Sequence, residues 1–403
     1  MKSVAGRGPT VRDLRRQNRA RVLRSIALSG ETHRAAIAAD CGLSTATITN
    51  VVTDLIGDGL VQEIGSVPSN GGRPIARLSV RPEGAYLIGA DIGETGVIVE
   101  LFDLSLTAVA QIRTDLPTAT ATAAEVGAAL TEAVQSIMND RPEIVDRLIG
   151  MGLGAPGLIE QIDGRPVLYA QSVGWEPVDL ADLCPIDNLT LEAENGAKTL
   201  TMAEQWFGAA RDVDDCVVVL IGRGIGAGII SGGRLLRGTA GSAGELGHLK
   251  ISIGGPDCRC GDRGCLEAYV GSGGLVARWR KATRRSAQRS TVRHLFEDAE
   301  AGTASASRVL DETVELFGVG LANLVNLINP ERIVIGGPTG GPLFAARGPQ
   351  LADAVRAHAL RRPGDQCTLA PAGMGVDAVA LGAALLPLER LIEGDATPPA
   401  VLA

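Results

Sequence analysis

The sequence predicts a multi-domain chain, in which a small, mostly helical domain with a β-hairpin precedes a larger α/β body of two lobes. Three observations predict this fold class. The length of 403 residues suits two or three domains of roughly 100–200 residues each. The sign of the charge changes near residue 82, and the body repeats one order of strands and glycine turns. Hydrophobic residues make up 45% and charged residues 21%, which is typical of globular proteins.

The net charge of −8 is the sum of two parts with opposite sign. Residues 1–81 contain twelve Lys and Arg against six Asp and Glu, a net of +6, and the remainder contains 26 against 40, a net of −14. This asymmetry favours a basic segment with an anionic partner. Because no apolar run approaches the roughly 18 residues of a membrane span, and the N-terminal residues lack the apolar core of a signal peptide, we expect a cytoplasmic protein without membrane contact.

The basic segment has the helix order of a helix-turn-helix. An amphipathic helix is predicted over 13–27. A short second helix follows Thr32, its predicted N-cap, and ends at Cys41, and Gly42 separates it from a third helix capped by Ser44. The third helix has an apolar stripe at helical spacing, formed by Ile48, Val51, Val52, Leu55 and Ile56. The residues expected to contact DNA are short hydrogen-bonding groups that can reach base edges, namely Ser44, Thr45, Thr47, Thr49, Asn50 and Thr53.

A predicted β-hairpin follows, with strands at Leu60–Ile64 and Ile75–Val80 and with Arg73 near its tip. It corresponds to the wing of a winged helix-turn-helix, and the DNA-binding domain is assigned to residues 1–82. We expect Arg73 to reach a phosphate or the minor groove. We expect the arginines of the first helix to meet phosphates, namely Arg15, Arg16 and Arg19. A protein-interaction module with a solvated polar face is the alternative.

The body contains the same order of elements twice. A buried strand, Tyr86–Asp91, leads into the glycine turn DIGETG, and a second one, Cys216–Ile221, leads into GRGIGAG. Glycines let backbone N–H groups converge on an anion, although ordinary hairpins also need glycine. The duplication predicts two lobes around a cleft. We assign the first lobe to residues 83–195 plus 375–393 and the second lobe, with the cysteine loop, to residues 196–374. Residues 394–403 are expected to form a disordered tail.

A set of one histidine and three cysteines is the strongest local signal. The residues are His248, Cys258, Cys260 and Cys265, with the spacing His-x9-Cys-x-Cys-x4-Cys. Zn²⁺ takes Cys₃His as one of its structural ligand sets, and thiols in a reducing compartment indicate metal or reactivity before disulfides. We predict a structural zinc ion, which is not catalytic because four protein ligands leave no open position. An iron–sulfur ligand set, a disulfide or idle thiols are the alternatives.

Nearly the whole chain resembles the ROK family of repressors, open-reading-frame proteins and sugar kinases. Residues 33–61 and GGRP (71–74) resemble the winged helix-turn-helix of the family. DIGET (91–95), GRGIGAG (222–228) and IVIGG (333–337) resemble its nucleotide motifs. GELGH (244–248) with CRCGDRGCLEAY (258–269) resembles its sugar and zinc signature. The resemblance implies an actin-like fold of the sugar-kinase/Hsp70 type. The matching nucleotide-motif residues are Asp91, Gly93, Thr95, Gly222, Gly224, Gly226, Gly336 and Gly337.

The resemblance also implies sugar contacts, at Asn195, Glu245, His248 and Glu267, although helix capping or surface charge is the alternative for the two glutamates. The catalytic aspartate of the kinases falls at Gly196, which has no side chain to accept a proton. Glu94 replaces the second glycine of the first phosphate motif and would repel ATP phosphates. We therefore predict that phosphoryl transfer is lost. Lys198 replaces an asparagine of the family and either favours an anionic ligand or, preferably, is solvated.

These predictions together indicate a transcription regulator of carbohydrate metabolism, usually a repressor in this family. As a homodimer or homotetramer it would bind palindromic double-stranded operator DNA. A sugar or sugar phosphate in the non-catalytic cleft would control it. The alternatives are an active ATP-dependent sugar kinase of the glucokinase or N-acetylhexosamine kinase type with a DNA-binding arm, and a regulator that answers to a protein partner.

Overall fold

The computed structural model describes residues 10–68, 74–117, 120–163, 165–170, 173–187, 189–283, 290–375 and 377–394. The helices α1–α13 are Val11–Ser29, Arg34–Cys41, Thr45–Gly57, Ala123–Asp140, Leu180–Leu183, Gly196–Phe207, Glu267–Val270, Ser272–Thr283, Val292–Glu300, Ala304–Ile328, Gly340–His358, Arg361–Gln366 and Ala378–Glu393. The strands β1–β15 are Val61–Val67, Ile75–Val80, Tyr86–Ile92, Gly96–Asp103, Ala108–Asp115, Leu148–Ala155, Leu158–Ile162, Arg165–Tyr169, Val178–Asp179, Leu191–Asn195, Cys216–Ile221, Ile225–Ser231, Arg234–Leu235, Arg332–Gly336 and Thr368–Pro371.

The N-terminal unit begins with the three predicted helices. The axes of α2 and α3 are bent by 114° relative to each other, and Gly42 between them adopts the left-handed conformation that glycine accepts without strain. Ser44 caps α3 as predicted, since its side chain accepts a hydrogen bond from the third backbone N–H beyond it. The cap of α2 is His33, and the prediction of Thr32 was wrong because Thr32 pairs with Leu78 in a β-bridge.

The antiparallel hairpin of β1 and β2 completes this unit. The second strand has the predicted bounds, whereas the first runs to Val67, beyond the predicted end at Ile64. A bulge between Glu63 and Ser66 shifts the register and allows the pairing to continue. Residues 69–73, including Arg73, lie outside the described residues.

The body contains two five-stranded sheets with the same arrangement, as the duplication predicted. The first has the order β5-β4-β3-β6-β10 and the second the order β13-β12-β11-β14-β15. Each sheet contains an antiparallel hairpin, β3–β4 or β11–β12. Two parallel strands continue the sheet next to the first strand of the hairpin, β6 and β10 beside β3 and β14 and β15 beside β11. Strands β7–β9 form a smaller antiparallel sheet that was not predicted.

Helix α13 packs directly on the first sheet. A Cβ atom at Gly89 of β3 would collide with the carbonyl oxygen of Ala380, and one at Gly152 of β6 would collide with that of Ala383. The two glycines therefore permit a close helix–sheet approach that a larger residue would prevent. Gly394 ends the helix, and the rest of the tail predicted to be disordered lies outside the described residues.

The N-terminal unit shares a hydrophobic core with the body. Val22 and Ile26 of α1 belong to one buried cluster with Trp206 of α6 and Leu388 of α13. The guanidinium of Arg24 lies 4.9 Å from the centre of the Trp206 ring, a distance typical of a cation–π contact. Helix α1 is therefore packed on the same core as α6 and α13.

Among the described helices, none alone is long and apolar enough to cross a membrane, and α2 with α3 passes that test only as a sharply bent pair.

Candidate functional site

One face of α3 exposes the side chains that were expected to contact DNA. Thr45, Thr49, Asn50 and Thr53 are exposed, and Thr47 is half-buried. The hydroxyl of Thr49 donates to the carbonyl of Thr45 at 2.9 Å, and that of Thr53 donates to the carbonyl of Thr49 at 2.8 Å. These hydroxyls keep their acceptor lone pairs. The side-chain amide of Asn50 makes no such hydrogen bond with the residues that the structure describes.

The arginines of α1 differ from the expectation that all three meet phosphates. Arg15 is exposed, but Arg19 forms an ion pair with Asp58 at 2.7 Å. Arg16 lines a cavity between α1 and the body. Arg16 is itself exposed.

The four predicted metal ligands lie in one place. Their ligand atoms are all within 4.8 Å of one another. The sulfur atoms of Cys260 and Cys265 are 3.8 Å apart, and that of Cys258 is 3.8 Å from Nδ1 of His248. A tetrahedral zinc ion with Zn–S bonds of about 2.3 Å separates two sulfurs by about 3.8 Å. The donor set and its spacing therefore fit Zn²⁺.

Lys250 holds the loop that carries the cysteines. Its ammonium group pairs with Asp262 at 2.6 Å, donates to the carbonyl of Arg263 at 2.9 Å and lies 3.3 Å from the sulfur of Cys265. A cation at this distance stabilises a thiolate, the form of cysteine that binds metal. Lys250 therefore supports the ligand set electrostatically.

The imidazole of His248 joins the cysteine cluster to the predicted sugar contacts. Its Nδ1 faces Cys258, and its Nε2 lies 3.9 Å from a carboxylate oxygen of Glu245. The side chain of Glu245 is 41% exposed. Loss of water around the carboxylate raises its pKa, an effect that His248 and Lys198 partly oppose. One ring nitrogen can thus serve a metal while the other faces the cleft.

Glu267 and Asn195 both have structural hydrogen bonds. The buried carboxylate of Glu267 accepts from the backbone N–H of Ile225 at 3.1 Å and from the guanidinium of Arg259 at 3.3 Å. Asn195 caps α6 by accepting from the N–H of Ala197, and its amide donates to the carbonyl of Gly157 at 2.8 Å. Glu245, His248 and Glu267 are linked through Cys258, which lies 3.8 Å from Glu267, whereas Asn195 stands at the start of α6.

Lys198 is buried, and the preferred expectation of a solvated lysine was wrong. It is 1% exposed, its ammonium donates to the carbonyl of Gly241, and it lies 3.6 Å from Glu194. The same glutamate binds the guanidinium of Arg237 at 2.9 Å. Sequence reasoning missed this network because Arg237 and Gly241 are about 40 residues from Lys198 in the chain, and no local pattern predicts that they meet.

The segments predicted to be nucleotide motifs lie at the turns of the two sheets, and the first two of them touch. Asp91, Gly93 and Thr95 lie at the β3–β4 turn. Gly222, Gly224 and Gly226 lie in and after the β11–β12 turn, and Gly336 and Gly337 end β14. The carboxylate of Glu94 accepts a hydrogen bond from the backbone N–H of Arg223. Because backbone N–H groups of such turns are anion donors, Glu94 occupies with its own charge a donor that a bound phosphate would use.

Asp91 titrates abnormally in this environment. Burial, together with the charges of Asp377 and Glu94, raises its pKa to about 7, while Arg113 opposes the shift. Gly196 lies at the first residue of α6. A Cβ atom there would meet its nearest neighbours at 3.8 and 3.9 Å, which is ordinary contact. Packing therefore does not require glycine at this position.

Comparisons with known proteins agree with this geometry. The model of the ROK family matches residues 87–390. The xylose repressor of Caldicellulosiruptor bescii is 29% identical over 80% of the chain and 83% of its own length. The DNA-binding transcriptional dual regulator NagC of Escherichia coli K12 is 30% identical over 79% and 80%. The crystal structure of a ROK family transcriptional regulator, a homologue of E. coli MLC protein, covers 95% of the chain and 98% of its own, with a TM-score of 0.76 and 23% identity.

Proposed function

The chain belongs to the ROK family, and on that premise we propose that it is a sugar-responsive transcriptional repressor with a non-catalytic kinase-like body. The observation that carries the proposal is the placement of α3. Its polar face is exposed, while α1 of the same unit shares a hydrophobic core with the body. Relatives named xylose repressor and N-acetylglucosamine repressor support this function.

Helix α3 would contact the DNA bases. Thr45, Thr49, Asn50 and Thr53 would enter the major groove, where the Asn50 amide could form two hydrogen bonds with N6 and N7 of one adenine. Ser44 and Thr47 share a hydrogen bond at the helix start, so their role is to fix the helix end near the backbone. Arg73 would contact a phosphate or the minor groove. Two such units in a homodimer or homotetramer would match the half-sites of a palindromic operator.

The absence of catalysis rests on Gly196 and Glu94. A sugar kinase needs a general base at the attacking hydroxyl, and glycine supplies none. Glu94 places a negative charge against the backbone N–H of Arg223 in the second glycine turn. Repulsion between this carboxylate and ATP phosphates opposes nucleotide binding. Both features support a body that has kept the fold of a kinase without its reaction.

The effector is a sugar bound by Glu245, His248 and Glu267, with Asn195 at the facing helix start. Carboxylates accept hydrogen bonds from sugar hydroxyls, whereas the Nε2–H of a His248 ring whose Nδ1 binds zinc would donate one to a hydroxyl oxygen. Lys198 is 1% exposed, and its ammonium group already contacts the carbonyl of Gly241 and the carboxylate of Glu194, so it is poorly placed to bind a phosphate. We therefore favour an unphosphorylated sugar over a sugar phosphate as the effector in this cleft.

The zinc ion would be held by His248, Cys258, Cys260 and Cys265. When bound, it supplies a structural cross-link. The four ligands lie between Glu245 and Glu267 in the chain, so the cross-linked loop would fix the distance between the two proposed sugar-binding carboxylates. Lys250 supports the thiolate form of Cys265.

Control of DNA binding requires that sugar binds one arrangement of the lobes more tightly than the other. The shared core of α1, α6 and α13 would pass this difference to the N-terminal unit and alter the spacing of two α3 helices. A gel-shift assay with DNA from upstream of the protein's own gene, with and without xylose, N-acetylglucosamine and other sugars, tests the proposal. Specific binding that one sugar reverses supports it, and binding without sequence preference contradicts it.

A further inference from the structure

The exposed face of α3 carries a row of residues with methyl groups. Ala46, Thr49 and Thr53 follow one another at intervals of three and four residues, which places them on one face of a helix, and all three are exposed. Asn50, one turn after Ala46, is exposed beside them. The opposite side of the helix is buried in the core of the N-terminal unit, for example at Ile48. The surface that α3 offers to a partner therefore consists of small side chains around one amide.

The hydroxyl protons of the two threonines are already used within the helix. The hydroxyl of Thr49 donates to the carbonyl of Thr45 at 2.9 Å, and that of Thr53 donates to the carbonyl of Thr49 at 2.8 Å. A threonine hydroxyl has a single proton to donate, and turning it towards a base would cost this bond to the fourth residue back. Each of these threonines therefore offers a base its methyl group and the lone pairs of its oxygen, but no donor.

The helix also lacks the side chains that most often bind guanine. Arginine and lysine form the commonest specific contact of the major groove, to N7 and O6 of guanine, and neither occurs in Thr45–Gly57. The one charged residue of the helix is Asp54, which is exposed and can accept a hydrogen bond but cannot donate one to guanine. The amide of Asn50 suits adenine, which offers one donor and one acceptor. The face therefore favours A·T pairs, in which thymine adds a 5-methyl group to the same groove.

We propose that α3 recognises thymine by its 5-methyl group, with Thr49 as the main specificity-determining residue and Ala46 and Thr53 on either side of it. The proposal rests on the proposed function, because it names the base that the DNA-binding helix selects. The hydrogen bond to Thr45 holds the side chain of Thr49 in one orientation. Its methyl group packs against that of thymine, and both are withdrawn from water. Uracil differs from thymine only by the absence of this methyl group, so the contact can be isolated chemically.

The test uses the full chain and the DNA duplex that it binds most tightly among those selected from a random library. Each thymine of that duplex is replaced in turn by uracil, which removes a methyl group and leaves every hydrogen-bonding group in place. Fluorescence anisotropy at physiological salt measures the affinity. We expect at least one replacement to weaken binding by about fourfold, which corresponds to the roughly 0.8 kcal/mol of one buried methylene-sized group.

Two variants separate the methyl group of Thr49 from its hydroxyl. Thr49→Ser keeps the hydroxyl and loses the methyl group, so it should bind the thymine and uracil forms of the contacted position equally. Thr49→Val keeps a methyl group and loses the hydroxyl, so the fourfold preference for thymine should remain. Thr107→Ser, at an exposed threonine between β4 and β5, is the matched control and should show the wild-type preference.

Loss of the thymine preference in Thr49→Ser, with its retention in Thr49→Val, supports the proposal. The reverse pattern would assign recognition to the hydroxyl and overturn it. A preference that survives in Thr49→Ser, or a selected duplex in which no uracil weakens binding, also overturns it but leaves the repressor function standing. A library that yields no preferred sequence overturns both, so the two failures are distinguishable.

Discussion

The carboxylate of Glu94 accepts a hydrogen bond from the backbone N–H of Arg223, and this contact joins the hairpin turns of the two sheets. In the proposed correspondence with the kinase motifs, Glu94 stands at a glycine of the first phosphate motif, and Arg223 lies in the second. The proposed exclusion of nucleotide by Glu94 and the proposed lack of a general base at Gly196 can be tested separately.

Replacement of Glu94 should admit a nucleotide. We expect the wild type to show no measurable binding of the magnesium complex of AMP-PNP in calorimetry, and Glu94→Gly to bind it, because the charge and the side chain are both removed. Glu94→Gln, which keeps the length without the charge, separates the two causes. Tight binding by the wild type would show that Glu94 does not exclude the nucleotide.

Restoring the carboxylate at Gly196 tests the reason for inactivity. Since a Cβ atom at this position meets only ordinary contacts, Gly196→Asp should fold with a melting temperature close to that of the wild type. We expect sugar-dependent ADP release from the double variant Glu94→Gly/Gly196→Asp and none from the wild type. Turnover by the wild type that Asp91→Asn abolishes would instead establish an active kinase.

Asn50 should contribute to the choice of DNA sequence. Asn50→Ala should weaken operator binding by about 1–3 kcal/mol and relax the preference at one base position, because a bidentate contact with adenine is lost. Asn323→Ala, which removes an exposed asparagine of α10, serves as the control and should leave binding unchanged. An equal loss on operator and random DNA would count against base reading by Asn50.

The cysteine cluster should hold about one zinc ion per chain. We expect Cys260→Ser to lose most of the zinc and to unfold at a lower temperature, because the ion contributes to the stability of the loop. Cys367→Ala changes a buried cysteine outside the cluster and should retain the zinc. Metal analysis that finds no zinc in the purified wild type would remove the prediction.

Lys198 should stabilise the fold from its buried position. Lys198→Met leaves Glu194 with Arg237 as its remaining ion-pair partner, and we expect a loss of about 1–3 kcal/mol in the free energy of unfolding. Lys281→Met, at an exposed lysine, should change it by less than about 0.5 kcal/mol. Chemical denaturation of both variants provides the comparison, and an unchanged midpoint for Lys198→Met would contradict the assigned role.

Asp91 should make stability depend on pH. Its pKa is raised from 3.8 to about 7 by burial first and by Asp377 next, so the native state binds more protons than the unfolded state between these values. Stability from this group is therefore present at low pH and is lost as the pH rises towards 7. Asp91→Asn should raise the melting temperature relative to the wild type at pH 8 and have a smaller effect at pH 5; equal effects at both values would refute the shift.

Features with a local cause could be predicted from the sequence. The apolar stripe and the Ser44 cap predict α3, apolar runs that lead into glycine turns predict β3 and β11, and the short spacing of Cys258, Cys260 and Cys265 predicts their cluster. These signals are contained within one element or one loop. The family resemblance added the sugar contacts and the position of the missing base.

Features that depend on distant parts of the chain could not be predicted. The burial of Lys198 requires Glu194, Arg237 and Gly241 to meet in space, and the role of Thr32 is decided by its pairing with Leu78. The cavity that Arg16 lines lies between α1 and the distant β12–β13 hairpin. In each case the local sequence is compatible with an exposed side chain, and only the tertiary packing decides.

The most direct test of the proposed function is the fluorescence anisotropy of labelled DNA from upstream of the protein's own gene, titrated with the full chain at physiological salt. The account predicts tight binding that exceeds binding to random DNA, together with release by one unphosphorylated sugar without ADP formation. Release should be lost in Glu245→Gln while DNA binding is kept. Equal affinity for both DNAs, or operator binding that no sugar alters, would contradict it.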